Sequence, residues 1–160
     1  MKHNKGLIVL TILSMTFFTQ TYAEGNNQHQ TPEITPSAER KTAIAKKLSG
    51  PTKNIGIASI SLLGTLGLAN DFPKMQGQQI RAREIVIDPG GVVAVHEHES
   101  RPGVAYILEG EIIEYRNDQP TPILRKTGAL SFETSGVAHW WENKSNAQVR
   151  ALIIDIVPKE

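Results

Sequence analysis

Three histidines in two short segments are the residues of this 160-residue chain whose types and spacing best suit chemistry. His96 and His98 are one residue apart in the segment GGVVAVHEH, and His139 follows in the segment GVAH. Side chains alternate across a β-strand, so residues two apart point to the same face. A third imidazole from a neighbouring strand would complete a three-nitrogen site, and imidazole suits Zn, Cu, Fe and Ni. The pattern predicts a metal site formed by these three histidines.

Short β-rich segments separated by turn signals make up the chain from Ile55 onward. Several short strands at such close spacing are typical of an antiparallel sandwich or barrel. The sequence therefore predicts an all-β domain over residues 55–158. The predicted strands cover residues 55–62, 79–87, 92–98, 103–108, 111–116, 123–126, 129–132, 137–143 and 149–157.

Residues 1–23 have the pattern of a secretory signal peptide. Lys2 and Lys5 precede an apolar run of about a dozen residues, shorter than the ~20 needed to span a bilayer. Thr21 and Ala23 place small residues where cleavage after Ala23 requires them. We predict a periplasmic or secreted protein with no stable membrane anchor after cleavage. An uncleaved membrane anchor is the alternative.

A linker and one short helix are predicted between the signal segment and the β-rich domain. Residues 24–36 are polar and lack apolar periodicity, which is typical of a disordered linker. Ser37 can cap a helix, and Gly50 followed by Pro51 is a stop signal. The predicted helix accordingly occupies residues 37–50.

Composition excludes several classes of function. The chain has no cysteine, which rules out disulfides, zinc–thiolate sites and a thiol nucleophile. Its 17 basic and 16 acidic side chains nearly balance, whereas a nucleic-acid-binding domain would show a clear basic excess. No glycine-rich phosphate loop, nucleophile elbow or HExxH segment is present in the sequence. The expected partner is a small molecule, with no nucleic acid.

The two histidine segments resemble the two motifs of the cupin superfamily. Glycine, histidine and asparagine positions of both motifs are matched by Gly90, His96, His98, Gly110, Gly128, Gly136, His139 and Asn143. Thr134 stands where the second motif has proline. The resemblance covers about residues 79–157. It implies a double-stranded β-helix, a jelly-roll relative, with a metal inside one mouth of the barrel.

One motif position departs from the family pattern. The first motif has a glutamate where this chain has Gly103, so the usual set of three histidines and one glutamate is reduced to the histidines. Glu99 is a candidate extra ligand. Strict alternation directs both Glu97 and Glu99 away from the histidine face, although the turn that follows could bring Glu99 back.

Four further residues are predicted to line the pocket or to support the ligands: Arg101, Tyr106, Trp141 and Asn143. Three of them have a plainer alternative. Arg101 would be a solvated loop residue, Tyr106 a buried tyrosine with a structural partner, and Trp141 an ordinary core residue. Arg81 and Arg83 alternate on one predicted strand and are expected to face solvent.

The resemblance implies a divalent transition metal, with Fe first and Mn, Zn, Ni or Cu as alternatives. It further implies a small-molecule enzyme of dioxygenase-like type, whose substrate the sequence does not reveal. A rival interpretation is a non-catalytic module that binds a metal or a small ligand. A third is a metal-free interaction barrel. The resemblance also makes a homodimer a candidate assembly.

Overall fold

The computed structural model describes residues 37–45 and 48–159. The predicted signal peptide and linker lie outside the described residues. One helix and eight strands follow in chain order: α1 (Ser37–Ala45), β1 (Ile55–Gly67), β2 (Gln78–Glu97), β3 (Gly103–Glu109), β4 (Glu111–Arg116), β5 (Ile123–Lys126), β6 (Leu130–Glu133), β7 (Ala138–Glu142) and β8 (Val149–Pro158). A single 3₁₀ turn, Pro73–Met75, precedes β2. Among the described helices, none is long and apolar enough to cross a membrane.

The strands form a single antiparallel sheet. Its order is β5-β4-β7-β2-β8-β3-β6, and β1 pairs with β2 outside this path. The sheet curls into a nearly closed barrel. The expected all-β barrel, with one short helix before it, is therefore confirmed.

Strand β2 joins two segments that the sequence predicted as separate strands. The predicted turn at residues 88–91 does not reverse the chain; it is a local irregularity within one 20-residue strand. Gly90 adopts a φ of 74°, which non-glycine residues rarely adopt. Asn143 holds this irregularity, because its Nδ2 donates to the carbonyls of Ile87 (3.1 Å) and Asp88 (3.0 Å). The first part of β2 pairs with β8, and the part that carries His96 pairs with β7.

The apolar core lies inside the barrel, beside the histidines. Its largest fully buried apolar side chains are Ile87, Ile107, Ile112 and Val149, with Trp141 packed against the same cluster. Burying side chains of this size stabilises a fold by about 1.5–3 kcal/mol each. These residues come from β2, β3, β4, β7 and β8, so the core holds the strands that carry the histidines in fixed relative positions.

Helix α1 is shorter than predicted and packs against the outside of β2. It ends at Ala45, and residues 48–50 are not helical. Ala43 is fully buried in a small cluster with Val95 and Ala138. Close contact of this kind needs a small side chain on the helix. The helix thereby brings Glu39 over the end of the barrel.

Candidate metal site

Strands β2 and β7 place the three histidines. His96 and His139 are direct cross-strand partners in the antiparallel pairing of β2 and β7. His98 follows the last residue of β2, and its backbone N–H donates to the carbonyl of Val137 at 3.2 Å. All three side chains are buried. The structure therefore brings together the three histidines that were predicted to form one site. Their side chains are placed so that they could hold a metal ion.

Each imidazole is oriented by a hydrogen bond on its Nδ1 side. His96 Nδ1 lies 2.8 Å from the carbonyl oxygen of Ala94, and His98 Nδ1 lies 3.0 Å from that of Arg101. His139 Nδ1 lies 2.7 Å from Glu114 Oε1. Because all three partners are acceptors, we assign the proton of each ring to Nδ1. The Nε2 atoms then carry lone pairs, as metal-ligating histidines require.

The three Nε2 atoms converge on one point. His139 Nε2 lies 2.9 Å from His98 Nε2 and 3.1 Å from His96 Nε2. Lone pairs at this distance repel unless a cation or a proton lies between them. Two nitrogens at right angles around a metal, with bonds of about 2.1 Å, would be about 3 Å apart. The donor set and its spacing therefore fit a divalent transition metal.

Burial favours the neutral form of His96 and His98. It is the main cause that lowers the pKa of His96 well below its ordinary value, and the neighbouring His139 and His98 lower it further. The pKa of His98 falls to about 2, first through burial and then through His139 and Arg101. Neutral imidazoles are the form that binds metal, so the site is ready for a metal at neutral pH.

Glu114, which the sequence analysis did not single out, anchors His139 from β4. Its side chain is fully buried and accepts hydrogen bonds from Ser131 Oγ (2.7 Å) and Arg125 Nε (2.8 Å) as well as from His139. Burial alone would raise the pKa of Glu114. The hydrogen bonds from His139, Ser131 and Arg125 hold the pKa of Glu114 well below its ordinary value. Glu114 is therefore an ionised carboxylate behind a candidate ligand, which fixes the ring and raises its basicity.

A second carboxylate, Glu133, lies on the cavity side of the histidines. Its Oε1 is 3.7 Å from His139 Nε2, and its Oε2 is 3.4 Å from His98 Nδ1. The side chain is only 3% exposed, and burial is the main cause that raises its pKa. Its Oε2 has no hydrogen-bond partner among the described residues. This site residue, too, was missed by the sequence analysis.

The histidines form one wall of a small cavity of about 30 Å³. Polar side chains from β2, β6 and the turn after β2, together with apolar ones, complete the lining: Arg83, Arg101, Glu133, Ile85, Val93, Trp141 and Ile153. The space exceeds the ~10–15 Å³ that one water molecule needs, so the cavity has room for a small polar group. Trp141 stands edge-on to His139, with ring centroids 5.9 Å apart.

Three guanidinium groups meet one carboxylate behind this cavity. Asp155 accepts hydrogen bonds from Arg81 (2.9 Å), Arg83 (2.9 Å) and Arg101 (3.0 Å). Arg101 also donates two bonds to Glu39 of α1, at 2.9 and 2.6 Å. Three positive charges against two negative ones leave this group with one excess positive charge. Burial, together with Arg81 and Arg101, lowers the pKa of Arg83 to about 10 although Asp155 opposes the shift.

The prediction that Arg83 faces solvent was wrong. This residue is 3% exposed and lines the cavity. Its position two residues before Ile85 and four before Ile87 shows why, since residues of one parity share a face and these isoleucines are buried. Arg101 is likewise buried, at the cavity wall.

Three other proposed site residues, Glu99, Tyr106 and Asn143, lie outside the cavity lining. Glu99 is exposed in the bend after β2 and does not line the cavity. Tyr106 is 38% exposed and also lies outside the lining. Asn143 is fully buried but supports the irregularity in β2. Of the two proposed aromatic residues, Trp141 lines the cavity.

Glu133, one of the two carboxylates that the sequence did not point to directly, had a signal in its strand. In β6 the polar residues Ser131 and Glu133 are buried, while Leu130 and Phe132 between them are exposed. A strand with its polar residues inside is unusual and indicates that the interior is a site. The predicted strand ended at residue 132, which left Glu133 out.

Comparison with known proteins agrees with this architecture. Residues 83–155 match the family model described as Cupin_2, a cupin domain. Residues 83–155 are thus a cupin domain. It is 35% identical over 71 residues to a curated protein named oxalate-binding protein from Thermotoga maritima. That match covers 44% of this chain and 57% of the relative, so the chain spans less than two thirds of the relative's length.

A solved structure shares the fold. KdgF from Halomonas sp. superposes with a TM-score of 0.51 at 12% identity, over 71% of this chain and 89% of that one. At this identity the likeness concerns the fold alone.

Proposed function

We propose that this domain binds a small dicarboxylate, with oxalate as the first candidate, at a divalent metal held by His96, His98 and His139. One observation carries the proposal. Two buried N–H groups, Arg83 Nε and Trp141 Nε1, have no hydrogen-bond partner among the described residues, and both residues line the cavity beside the histidines. Buried donors left unpaired are costly, and a ligand rich in acceptor oxygens would satisfy both.

Charge supports an anionic ligand. The group formed by Arg81, Arg83, Arg101, Asp155 and Glu39 carries one excess positive charge, which the carboxylate of Glu133 at the cavity offsets. A divalent metal on the three neutral imidazoles would therefore leave the site with two positive charges. A carboxylate beside Arg83 would offset the lowered pKa of that guanidinium. When bound, the metal supplies a Lewis-acidic centre that attracts carboxylate oxygens. The small cavity favours a ligand of few atoms, and the name of the oxalate-binding relative supports the choice of oxalate.

The chain's own residues would orient the anion. Arg83 offers a charged N–H from β2, and Trp141 offers an indole N–H from β7. Ile85, Val93 and Ile153 form the apolar part of the wall. Apolar walls exclude water, and electrostatic attraction is stronger where water is excluded.

Calorimetric titration of oxalate into the Mn²⁺-loaded protein tests the proposal. Binding to the metal-loaded protein and not to the metal-free protein is the expected result. Arg83→Gln should weaken oxalate binding by about tenfold or more, because a charged hydrogen bond is worth about 1.5–3 kcal/mol. Arg150→Gln is the matched control: Arg150 lies on β8 with Asp155 but pairs with Glu84 and Glu109 and does not line the cavity. We expect it to bind oxalate nearly as the unchanged protein does.

Two results would overturn the proposal. One is a metal-loaded protein that takes up no oxalate. The other is equal binding with and without metal. Acetate, with one carboxylate, should bind more weakly than oxalate, since it offers fewer acceptors to Arg83 and Trp141.

Catalysis of dioxygenase-like type, export to the periplasm and assembly into a homodimer stay predictions. The identity of the metal, with Fe expected first and Mn, Zn, Ni or Cu as alternatives, is likewise still a prediction.

A further inference from the structure

The carboxylate of Glu133 has an unusual environment for a buried charged group. The residue ends β6, and its side chain is 3% exposed. Its Oε2 lacks a hydrogen bond within the described chain. A buried carboxylate left without full hydrogen bonding is unfavourable by several kcal/mol in order of magnitude. Such a group in a native fold calls for a partner, and the imidazoles of His98 and His139 lie 3.4 and 3.7 Å from its two oxygens.

The strand register relates Glu133 to the missing motif glutamate. Glu133 is the cross-strand partner of Gly103 in the pairing of β3 with β6, and Asp155 is the partner of Gly103 on the other side, in β8. Directly opposed residues in an antiparallel sheet project to the same face. The two carboxylates therefore flank position 103 on the inner face of the barrel.

Position 103 itself has no space for a side chain. A Cβ on Gly103 would lie 2.8 Å from the carbonyl oxygen of Ile154 and 3.0 Å from Asp155 Cβ. Contacts this short with backbone atoms cannot be relieved by rotating a side chain. A glutamate at position 103 is thus incompatible with Asp155 in β8.

Of the two flanking carboxylates, Asp155 is already satisfied. It accepts bonds from Arg81, Arg83 and Arg101, which hold its pKa below the ordinary value despite burial. Among the described residues, the ion-pair contacts of Glu133 are with His98 and His139, and its Oε2 accepts no hydrogen bond. The carboxylate that remains for a ligand of the cavity is therefore Glu133.

We propose that Glu133 is the carboxylate ligand of the metal site, supplied from β6 in place of the residue at position 103. Its Oε1 would be the ligand atom, because the 3.7 Å between it and His139 Nε2 lies within the ~3–4 Å that separates two ligand atoms of one metal. Its Oε2 faces the N–H of His98. This inference rests on the proposed metal centre and adds an anionic oxygen to three neutral nitrogens.

An added carboxylate changes which metals the site prefers. Carboxylate oxygen suits Mn²⁺ and Fe²⁺, whereas Zn²⁺ and Cu²⁺ bind well to imidazole alone. With Glu133 removed, the loss of affinity should consequently be larger for Mn²⁺ than for Zn²⁺.

The test measures metal affinity in Glu133→Gln, a replacement of nearly the same shape. Free Mn²⁺ is followed by electron paramagnetic resonance, and Zn²⁺ by competition with a chromophoric chelator. Mn²⁺ affinity should fall by about 10- to 100-fold, the loss typical when a group around a metal is removed. Glu142→Gln is the matched control, since Glu142 lies on β7 with His139 but bonds to Tyr115 and Lys144. Its Mn²⁺ affinity should stay unchanged.

A stability measurement separates a ligand from a structural residue. Without metal, Glu133→Gln should unfold at the same temperature as the unchanged protein or higher, because a costly buried acid has been removed. If Glu133 only stabilised the barrel, metal-free Glu133→Gln would unfold at a lower temperature. Its apparent Mn²⁺ affinity would then fall only in proportion to the fraction of the variant that is folded. That pattern, or unchanged Mn²⁺ affinity in a folded Glu133→Gln, overturns the inference.

The proposed function fails on a different result. If the unchanged protein binds neither Mn²⁺ nor Zn²⁺, then the metal centre itself is wrong, and Glu133 with it. If the unchanged protein binds metal and oxalate, and Glu133→Gln binds Mn²⁺ equally well, then only the role of Glu133 is wrong.

Discussion

His139 and Glu114 form a buried pair across β4 and β7, with His139 Nδ1 2.7 Å from Glu114 Oε1. The carboxylate lies on the opposite side of the ring from the cavity, so it directs Nε2 toward the other two histidines. Carboxylates in this position behind a ligating histidine fix the ring and strengthen its lone pair.

Glu114→Gln should weaken metal binding by about 10- to 100-fold, because the amide carries no charge to strengthen His139 as a ligand. Zn²⁺ affinity measured by chelator competition checks this. Glu111→Gln on the same strand is the control: its carboxylate is half exposed and pairs with Lys126. Equal Zn²⁺ affinity in the two variants would contradict the role of Glu114.

His98→Ala should abolish stoichiometric metal binding while leaving the barrel folded. Two imidazoles hold a divalent metal far more weakly than three, and the removed ring belongs to the site rather than to the apolar core. Elemental analysis of the purified protein gives the metal content, and circular dichroism reports the fold. As a control, His29→Ala changes a histidine of the predicted linker and should retain the metal. Unchanged metal content in His98→Ala would refute the site.

Acid should destabilise the metal-free protein. Burial and neighbouring imidazoles lower the pKa of His96 and bring that of His98 to about 2, whereas both titrate near 6.5 when unfolded. Between these values the unfolded state binds protons that the folded state does not. Stability is therefore full above about pH 6.5 and falls below it, by roughly 1.4 kcal/mol per pH unit for each histidine.

Urea unfolding of the metal-free protein at pH values from about 7.5 down to 5.5 checks this dependence. The free energy of unfolding of His98→Asn should fall less steeply with decreasing pH, by roughly 1.4 kcal/mol per pH unit. Equal slopes for the two proteins would mean that His98 is protonated in the folded state.

Glu39→Ala should destabilise the attachment of α1. Its carboxylate makes two hydrogen bonds to Arg101, and both side chains are buried. Removing one partner of a buried pair typically costs about 3–5 kcal/mol. Hydrogen exchange of α1 and urea unfolding measure the loss. Lys41→Ala, at an exposed position of the same helix, is expected to change stability by less than about 0.5 kcal/mol. Equal protection of α1 in both variants would contradict this account.

Gly103→Ala should lower the free energy of unfolding by about 1–3 kcal/mol, since its Cβ meets the backbone of β8. The control is Gly64→Ala in β1, where an added Cβ has no neighbour within 4 Å. Urea midpoints of the two variants give the comparison. If Gly103→Ala were as stable as Gly64→Ala, position 103 would have room for the motif glutamate after all.

Much of the architecture was predictable because strand alternation and turn residues are local signals. The strands Glu111–Arg116 and Ile123–Lys126 match their predicted bounds, and the three histidines meet as their spacing predicted. Residues 88–91 were misjudged as a chain reversal because a turn-forming sequence also suits an irregularity inside a long strand. The irregularity is stabilised by a hydrogen bond from Asn143, which is 55 residues away from Asp88 and so gives no local signal.

The charged part of the site was not predictable in the same way. Arg83, Glu114 and Glu133 acquire their roles from partners on other strands, and sequence spacing carries no information about those pairings. Glu133 in particular depends on the register between β3 and β6. A missing motif residue in one strand is visible in the sequence; the carboxylate that stands opposite it becomes visible only once the strands are paired.

Helix α1 extends the working unit of this protein beyond the boundaries of the family match. The match begins at residue 83, yet Glu39 neutralises Arg101, 62 residues further along the chain, at the cavity wall. A fragment that begins at β1 would lose this carboxylate and leave an uncompensated positive charge on Arg101. Its affinity for anions would then reflect the cut rather than the native protein. Studies of ligand selectivity should use a chain that retains the helix.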